Sequence, residues 1–543
     1  FSRFRSDGSK TTRFRRIILE NCSLNFSDEK KKQMLKRGVF NPNDISIGEI
    51  NSEINIDILT KKSFEGKINY LNFKELHSNF IFEQLKTNVK LNDSSLFVSE
   101  LLLQTQHSKI EFDTMVTTFP SLDELKKLSD DVTFNIKLRP SYVEMSDFGG
   151  FYPMLKKLSD RLSIDGEIEG NPNHLVCPNL LIDYGKDIHF DGDFEISDLI
   201  NEEKPYISAD INKLNFKVFA FQDILAVIRN KPTIFPQRLS RLGDCTYRGK
   251  IDGFFDKIEL LGTLYSGIGN VHADIILASK NNFSDIKIDG NIKTRNLRLG
   301  EILDPKWQVG SISFNTKGFA MFGENTPIQG NVDLLVDKFN FRNYDYENLK
   351  MKGHFLRKAF DGEMHFDDKN GELHLLGAYD LDKISPKFNF DAKLTHFNPC
   401  AMNLIDTFPD LSLSLAVRAN FEGGTLDNMN GTLSFDSLDI KNGEKTFLLP
   451  QLLISSAEKN NERNLSVQSD LVSGFVAGEF IFASLNQSVM HFVSKYVPSF
   501  SNKEYASPHK NDFTYKIDFS QIDELCNVFN FPWQVRDDIG IFG

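Results

Sequence analysis

The chain has 543 residues, 49 of them Phe, with 40% hydrophobic and 25% charged residues and a formal net charge of −12 at pH 7. That length exceeds what one ordinary core supports, so it calls for several domains or a stacked repeat, and the wealth of Phe, Ile and Val suits a pleated, half-buried sheet. An acidic chain without a basic stripe excludes the usual nucleic-acid binder, which needs clustered Lys and Arg to displace phosphate counterions.

The basic start (Arg3, Arg5, Lys10, Arg13, Arg15, Arg16) reads as a solvated connector. No signal peptide precedes Phe1, and the sequence closes inside an alternating stretch at Ile539 and Ile541, so it is expected to be a fragment of something longer. No run of about 18 apolar residues occurs that would span a bilayer as a helix. The five cysteines, Cys22, Cys177, Cys245, Cys400 and Cys526, are far apart and form no CxxC pair, which argues against a zinc ribbon or a dense disulfide scaffold.

Period-two alternation is the dominant pattern along the chain. It predicts strands at Phe134, Ile136, Leu138, then at Ile207, Ala209, Ile211, and at Ile286, Ile288, Gly290, Ile292. It returns at Phe388, Phe390, Ala392, Leu394, and at Phe513, Tyr515, Ile517, Phe519. Each of these is followed by a short helix-like stretch: 145–158, 220–228, 297–303, 399–408 and 520–529. In three places another alternating strand then runs to a Gly, at 161–170, 309–318 and 411–424. These are read as diverged copies of one sheet-building unit with irregular spacing. Turn signals at 367–371 (DDKNG) and 427–431 (DNMNG) mark hairpins. A longer amphipathic helix is predicted at 484–496, where Leu485, Val489, Phe492, Val493 and Tyr496 share a face and Pro498 follows.

Catalytic patterns are missing: there is no GxSxG elbow, no HExxH and no GxxxxGK[ST] loop. Asp367, Asp368, Asn370 and Gly371 resemble the start of a calcium loop, but Gly377 stands where an EF-hand needs Glu, so a hairpin turn is expected. Asp191 and Asp193 alternate with Phe190, Gly192 and Phe194, which puts both carboxylates on a solvated strand face. His365 and His374 lie in alternating strands, where an exposed or packed role is expected. Asn21, Asn25 and Asn430 fit the glycosylation pattern, which matters only in a secreted glycoprotein. No cofactor and no metal is expected, and no enzyme; a polysaccharide-active β-solenoid would need a carboxylate cluster in a cleft.

The apolar strand faces have two readings. They either pack a core under a second sheet, or line the inside of a long sheet curled into an open trough. A trough would suit acyl chains, since each CH₂ hidden from water is worth about 0.8 kcal/mol.

Three segments carry a family resemblance. The block 386–440 (PKFNFDAKLTHFNPCAMNLI to LSFDSLDI) is similar to a repeated strand–helix–strand–Gly block of the TamB branch of AsmA-like proteins. Residues 469–500 resemble a further block of that family, ending in Tyr496, Val497 and Pro498, and 39–56 resembles its earlier hairpins. The resemblance implies a mainly β fold, a long repetitive antiparallel sheet curled into an open, taco-like groove with short helices interspersed. It implies a periplasmic protein, anchored to the inner membrane by segments outside this sequence, that transfers phospholipid between the inner and outer membranes. An alternative is a scaffold for outer-membrane protein assembly with a TamA-like barrel. On this reading 1–131 is an N-terminal hairpin segment, 132–385 holds central repeats and 386–543 holds C-terminal repeats. The expected lining of the groove is Phe134, Ile136, Leu138, Phe388, Phe390, Leu394, Leu411, Leu413, Leu415, Val417, Leu433, Phe435, Phe513, Tyr515 and Ile517. Phospholipid acyl chains are the expected partner.

Overall fold

Alternation gives a strand one greasy and one wet side, and strands of this kind gain by lying edge to edge with their greasy sides together. The computed structural model of the chain assembles them in antiparallel ladders. It describes residues 12–28, 39–198, 205–485 and 511–543, apart from positions 42, 61, 152–154, 157, 159, 229–231, 233, 255, 281–283, 325, 382–383, 460–461, 521 and 533–538. The chain divides into two compact units, Phe1–Phe283 and Ser284–Gly543.

In the first unit Thr12–Ser27, Asp44–Leu59, Phe64–Glu75, Phe80–Leu91, Ser95–Thr105, Lys109–Thr118 and Thr133–Leu138 each pair with the next. Thr133–Leu138 then pairs with Glu167–Asn171. From there the ladder runs through His174–Tyr184, Ile188–Ser197, Tyr206–Lys217, Asp244–Phe254, Lys257–Ser266 and Gly269–Lys280. The short strands Ser141–Glu144 and Arg161–Asp165 continue the two interrupted ones and pair with each other. Two residues explain the interruption. Pro140 has no N–H to give to a ladder, and Gly166 sits at φ +144° in the facing strand. Between them the Leu138 N–H still reaches the Gly166 carbonyl at 3.0 Å.

The second unit pairs in strict chain order. Its strands are Asp285–Leu297, Val309–Gly323, Gln329–Phe341, Tyr344–Leu356, Ala359–Asp368, Gly371–Asp380 and Lys387–Phe397. Leu411–Glu422, Asn430–Asn442, Lys445–Lys459, Glu462–Ser469, Val472–Glu479, Asp512–Phe519 and Ile539–Phe542 complete it. The fold class expected from the sequence, a long antiparallel sheet with a few short helices, is the one observed. The expected segment joints at 131/132 and 385/386 each lie within a ladder, bridged by Thr117 opposite Phe134 and by Tyr379 opposite Phe388.

The helix-like stretches differ in kind. Ala220–Ile228 and Ile522–Val528 are α-helices, while Met145–Gly150, Leu299–Glu301 and Pro305–Trp307 are 3₁₀ turns. Residues 399–404 make a single turn, not the predicted helix. Asn398 Oδ1 accepts the Ala401 N–H at 2.8 Å and opens the turn, and Asn403 at φ +57° closes it. The predicted helix 484–496 begins at residues 482–485, and the rest of it lies outside the described residues.

In the second unit the helical pieces at 299–307, 399–404 and 522–528 all follow strands that end on the same long margin of the ladder; hairpins occur at both margins, and the opposite one also carries the helical residues 482–485. In the first unit Met145–Gly150 and Ala220–Ile228 likewise share a margin, whereas the helix Leu122–Lys127 lies at the opposite one.

Full burial concentrates where these pieces fold onto the apolar face. Met402, 0% exposed, packs with Tyr344 and Phe366, and Leu349, Leu373, Phe397 and Leu404 close around them. Val528 seals a second cluster with Leu411, Ile440, Phe447 and Leu449. In the first unit Asp147 of the 145–150 turn accepts hydrogen bonds from Thr105, Ser108 and the His107 backbone. Phe80 and Phe151 meet edge to face at 5.2 Å beside it.

Strands bend where a residue takes the left-handed conformation and inserts a bulge. The device recurs: Asn21, Asn179, Asn296 and His396 all have φ near +50°. Each gives its N–H to a polar side chain of the neighbouring strand, respectively Asn51, Asp193, Ser313 and Ser414, at 2.8–3.0 Å. The bulge shifts the parity, so that Leu394 and Phe397 lie on the same face.

Candidate functional site

The register turns separate stripes into continuous rows. In the second unit Ile292, Thr316, Leu334, Met351, Met364, Leu375, Ala392, Val417, Phe435 and Leu452 stand opposite one another, one from each successive strand. Thr316, the one hydroxyl among them, gives its proton to the Asp333 carbonyl at 3.2 Å. A neighbouring row runs Phe390, Ala419, Leu433, Ile454, Val467, Gly474 and Ile517. In the first unit Ile56, Gly66, Val89, Val98, Met115, Ile136 and Ile168 form one row. Ile182, Phe190, Leu214, Tyr247, Leu264 and Val271 form another.

The opposite face is written in charges. Asp333, Lys352, Glu363, Leu376, Asp391 and Arg418 follow one another across the ladder. Arg418 pairs with Asp436 at 2.7 Å, which holds the Asp436 carboxyl below the ordinary carboxylate range.

Most large side chains in these rows are half-buried. Under a second sheet they would be closed off entirely, as interiors pack to crystal-like density. Among the described residues every strand belongs to a ladder already given. The face is apolar enough to act on titration. Tyr247, whose hydroxyl donates to the Lys250 carbonyl at 2.9 Å, is pushed up to about 12, by burial first and by Asp252 second.

The residues named from the sequence fall on this face with one exception. Phe134, Ile136 and Leu138 are half-buried on alternate positions of one strand, as are Phe388, Phe390 and Leu394 of another. Phe388 stacks on Phe421 at 4.7 Å. Leu394 faces Leu415, Val417 faces Phe435, and Leu433 faces Ala419. Phe513, Tyr515 and Ile517 face Gly478, Val476 and Gly474. The exception is Leu411, 6% exposed, which belongs to the closed cluster under the helix Ile522–Val528, with Leu413 packed against its border. The helix that covers it comes from more than a hundred positions further along, which local alternation does not register.

Sequence reading missed Met351, Met364 and Leu375, of which only Leu375 has an apolar neighbour, Leu376, that blurs the alternation. It also missed Met402, whose burial depends on its turn folding back.

Glycines interrupt the rows for a backbone reason. At Gly377 (φ +137°) a Cβ would lie 2.3 Å from the Asn389 carbonyl oxygen, so the close approach of the strands there admits no side chain.

The polar residues singled out earlier serve the ladder. Asp193 caps the bulge at Asn179, and Asp191 accepts from Asn212 Nδ2 at 3.3 Å. Asp368 sits in a hairpin turn, accepting the Tyr344 hydroxyl and the Asn370 N–H. Burial first, and then that carboxylate, drive the Tyr344 phenol well above its usual range. His365 and His374 face each other across two strands on the exposed side, ring centroids 6.1 Å apart. Among the described residues no three His, Cys, Asp or Glu side chains converge as a metal site would need. No helix among them is long and apolar enough to cross a membrane.

No protein-family model, curated protein or solved structure matches this chain.

Proposed function

We propose that this chain is a stretch of hydrophobic conduit along which the acyl chains of phospholipids pass between two membranes while their head groups stay in water. The observation that carries the reading is the unbroken row from Ile292 to Leu452, half-buried for the most part, with the row of Asp333, Lys352, Glu363, Asp391 and Arg418 on the other face. Transfer needs continuity more than affinity. At about 0.8 kcal/mol per CH₂, a gap that re-exposes several methylenes at once is a barrier of a few kcal/mol. A side chain from every strand, apolar in all but Thr316 and about 4.8 Å from the next, leaves no such gap. The mechanism is passive and makes or breaks no bond. The resemblance of 386–440 and 469–500 to the TamB branch of AsmA-like proteins supports a periplasmic setting between the inner and outer membranes of a Gram-negative envelope.

The test is transfer of a fluorescent phospholipid from donor to acceptor liposomes, with mass spectrometry of lipid retained after gel filtration. Bound phospholipid and transfer that rises with protein concentration are expected. Neither lipid nor acceleration would contradict the proposal. Retention of unfolded outer-membrane strands in place of lipid would support an assembly scaffold instead.

A further inference from the structure

Over one group of strands in the second unit the two ends of the apolar face are unlike, and the difference suggests how a chain lies on it. Over strands Tyr344–Leu356, Ala359–Asp368, Gly371–Asp380 and Lys387–Phe397, one end of the apolar face is stopped by Met402. That side chain is fully buried against Tyr344 and Phe366, with Leu349, Leu373 and Phe397 around it. At the other end the same strands reach a tight turn at Arg357 and Lys358 and the connection after Asp380. Phe355 and Tyr379 are half-buried there, and Leu381 is 45% exposed. From Phe366, 7% exposed at the stopped end, to Phe360, 6% exposed beside the turn, is roughly 20 Å of extended strand. One acyl layer, half of a hydrocarbon core of about 30 Å, is about 15 Å deep.

We infer that acyl chains lie along the strands, methyl ends toward Met402 and head groups at the end that carries the turn at Arg357 and Lys358, and move broadside from strand to strand. The inference rests on the conduit reading. A chain laid along the rows instead would hold its polar head in the middle of the apolar face, where desolvation is costly. Laid along a strand, its head meets water at the turn. Each broadside step of about 4.8 Å then offers the same width of apolar surface, so burial stays constant and the head follows one margin throughout. The stop at Met402 also makes the face a gauge: chains longer than the open width must protrude at the opposite end.

The experiment loads the full chain with phosphatidylethanolamine carrying a diazirine at either the methyl end or the carboxyl-proximal end of one acyl chain, and maps adducts by mass spectrometry after irradiation. Methyl-end adducts at Leu373, Phe397, Met402 and Leu404, with carboxyl-proximal adducts at Phe355, Tyr379 and Phe388, are the expected result. Both probes spread equally over the two groups would overturn the orientation and leave the conduit standing. No adduct from either probe on this face would overturn the conduit, and the orientation with it.

Discussion

Placing one carboxylate in the central row should stop transfer without unfolding the sheet. Met364 is half-buried between Met351 and Leu375, while its neighbour His365 lies exposed on the other face. In Met364→Asp an acyl chain crossing that strand loses contact for about three CH₂ groups, roughly 2.4 kcal/mol at 0.8 kcal/mol each. At 1.4 kcal/mol per tenfold, transfer should slow by about 50-fold. The new carboxylate can keep its water, because position 364 is only half-buried, so the sheet should remain folded. His365→Asp, one position along the same strand, should change transfer less than about twofold, since exposed substitutions stay within about 0.5 kcal/mol. The assay is liposome-to-liposome transfer of fluorescent phospholipid, with circular dichroism and urea unfolding on both variants. If the two variants transfer alike while both are folded, the face argument is wrong.

Met402→Ala, emptying a fully buried position, should destabilise the second unit by about 2–5 kcal/mol in urea unfolding, and Leu404→Ala by less. Phe447→Ala should cost about 3–5 kcal/mol, whereas Leu448→Ser, at a position 66% exposed, should stay within about 0.5 kcal/mol in the same measurement. Gly377→Val forces a side chain against the Asn389 carbonyl and should cost about 1–3 kcal/mol, read as a lower unfolding midpoint. Burial pushes the Asp147 carboxyl up, but hydrogen bonds from Thr105, His107 and Ser108 outweigh it and hold it below the usual range. Its stabilising contribution is therefore complete above the unfolded carboxyl value of about 3.9 and is lost as pH falls through the lower folded value. Hydrogen exchange in 105–108 and 145–150 should rise in acid in the wild type, and Asp147→Asn should be fast at every pH.

Much of the fold could be read from alternation, because strand parity depends only on neighbouring residues. Phe388 and Phe390 on one face with Asn389 and Asp391 on the other, and the turns at 367–371 and 427–431, follow directly. What could not be read depends on contacts far along the chain. The interruption at Pro140 meets Gly166 in the facing strand, which stands across from Leu138. The stretch 399–404 has the apolar spacing of a helix, but Asn403 ends it after one turn, and that turn buries Met402 against strands more than thirty positions earlier. Leu411 alternates like its neighbours and is sealed by a helix from 522–528. The bulges at Asn179, Asn296 and His396 are legible only in hindsight, as a residue tolerant of the left-handed conformation followed by a change of parity.

The central claim, one continuous lipid-bearing face, is tested most directly by alternation itself. A photoreactive phenylalanine analogue would be placed singly at 388, 389, 390, 391, 393 and 394 in the presence of phospholipid vesicles. Lipid adducts at 388, 390 and 394, and none at 389, 391 and 393, are the predicted result. Adducts without that alternation, or at none of the six positions, would contradict it.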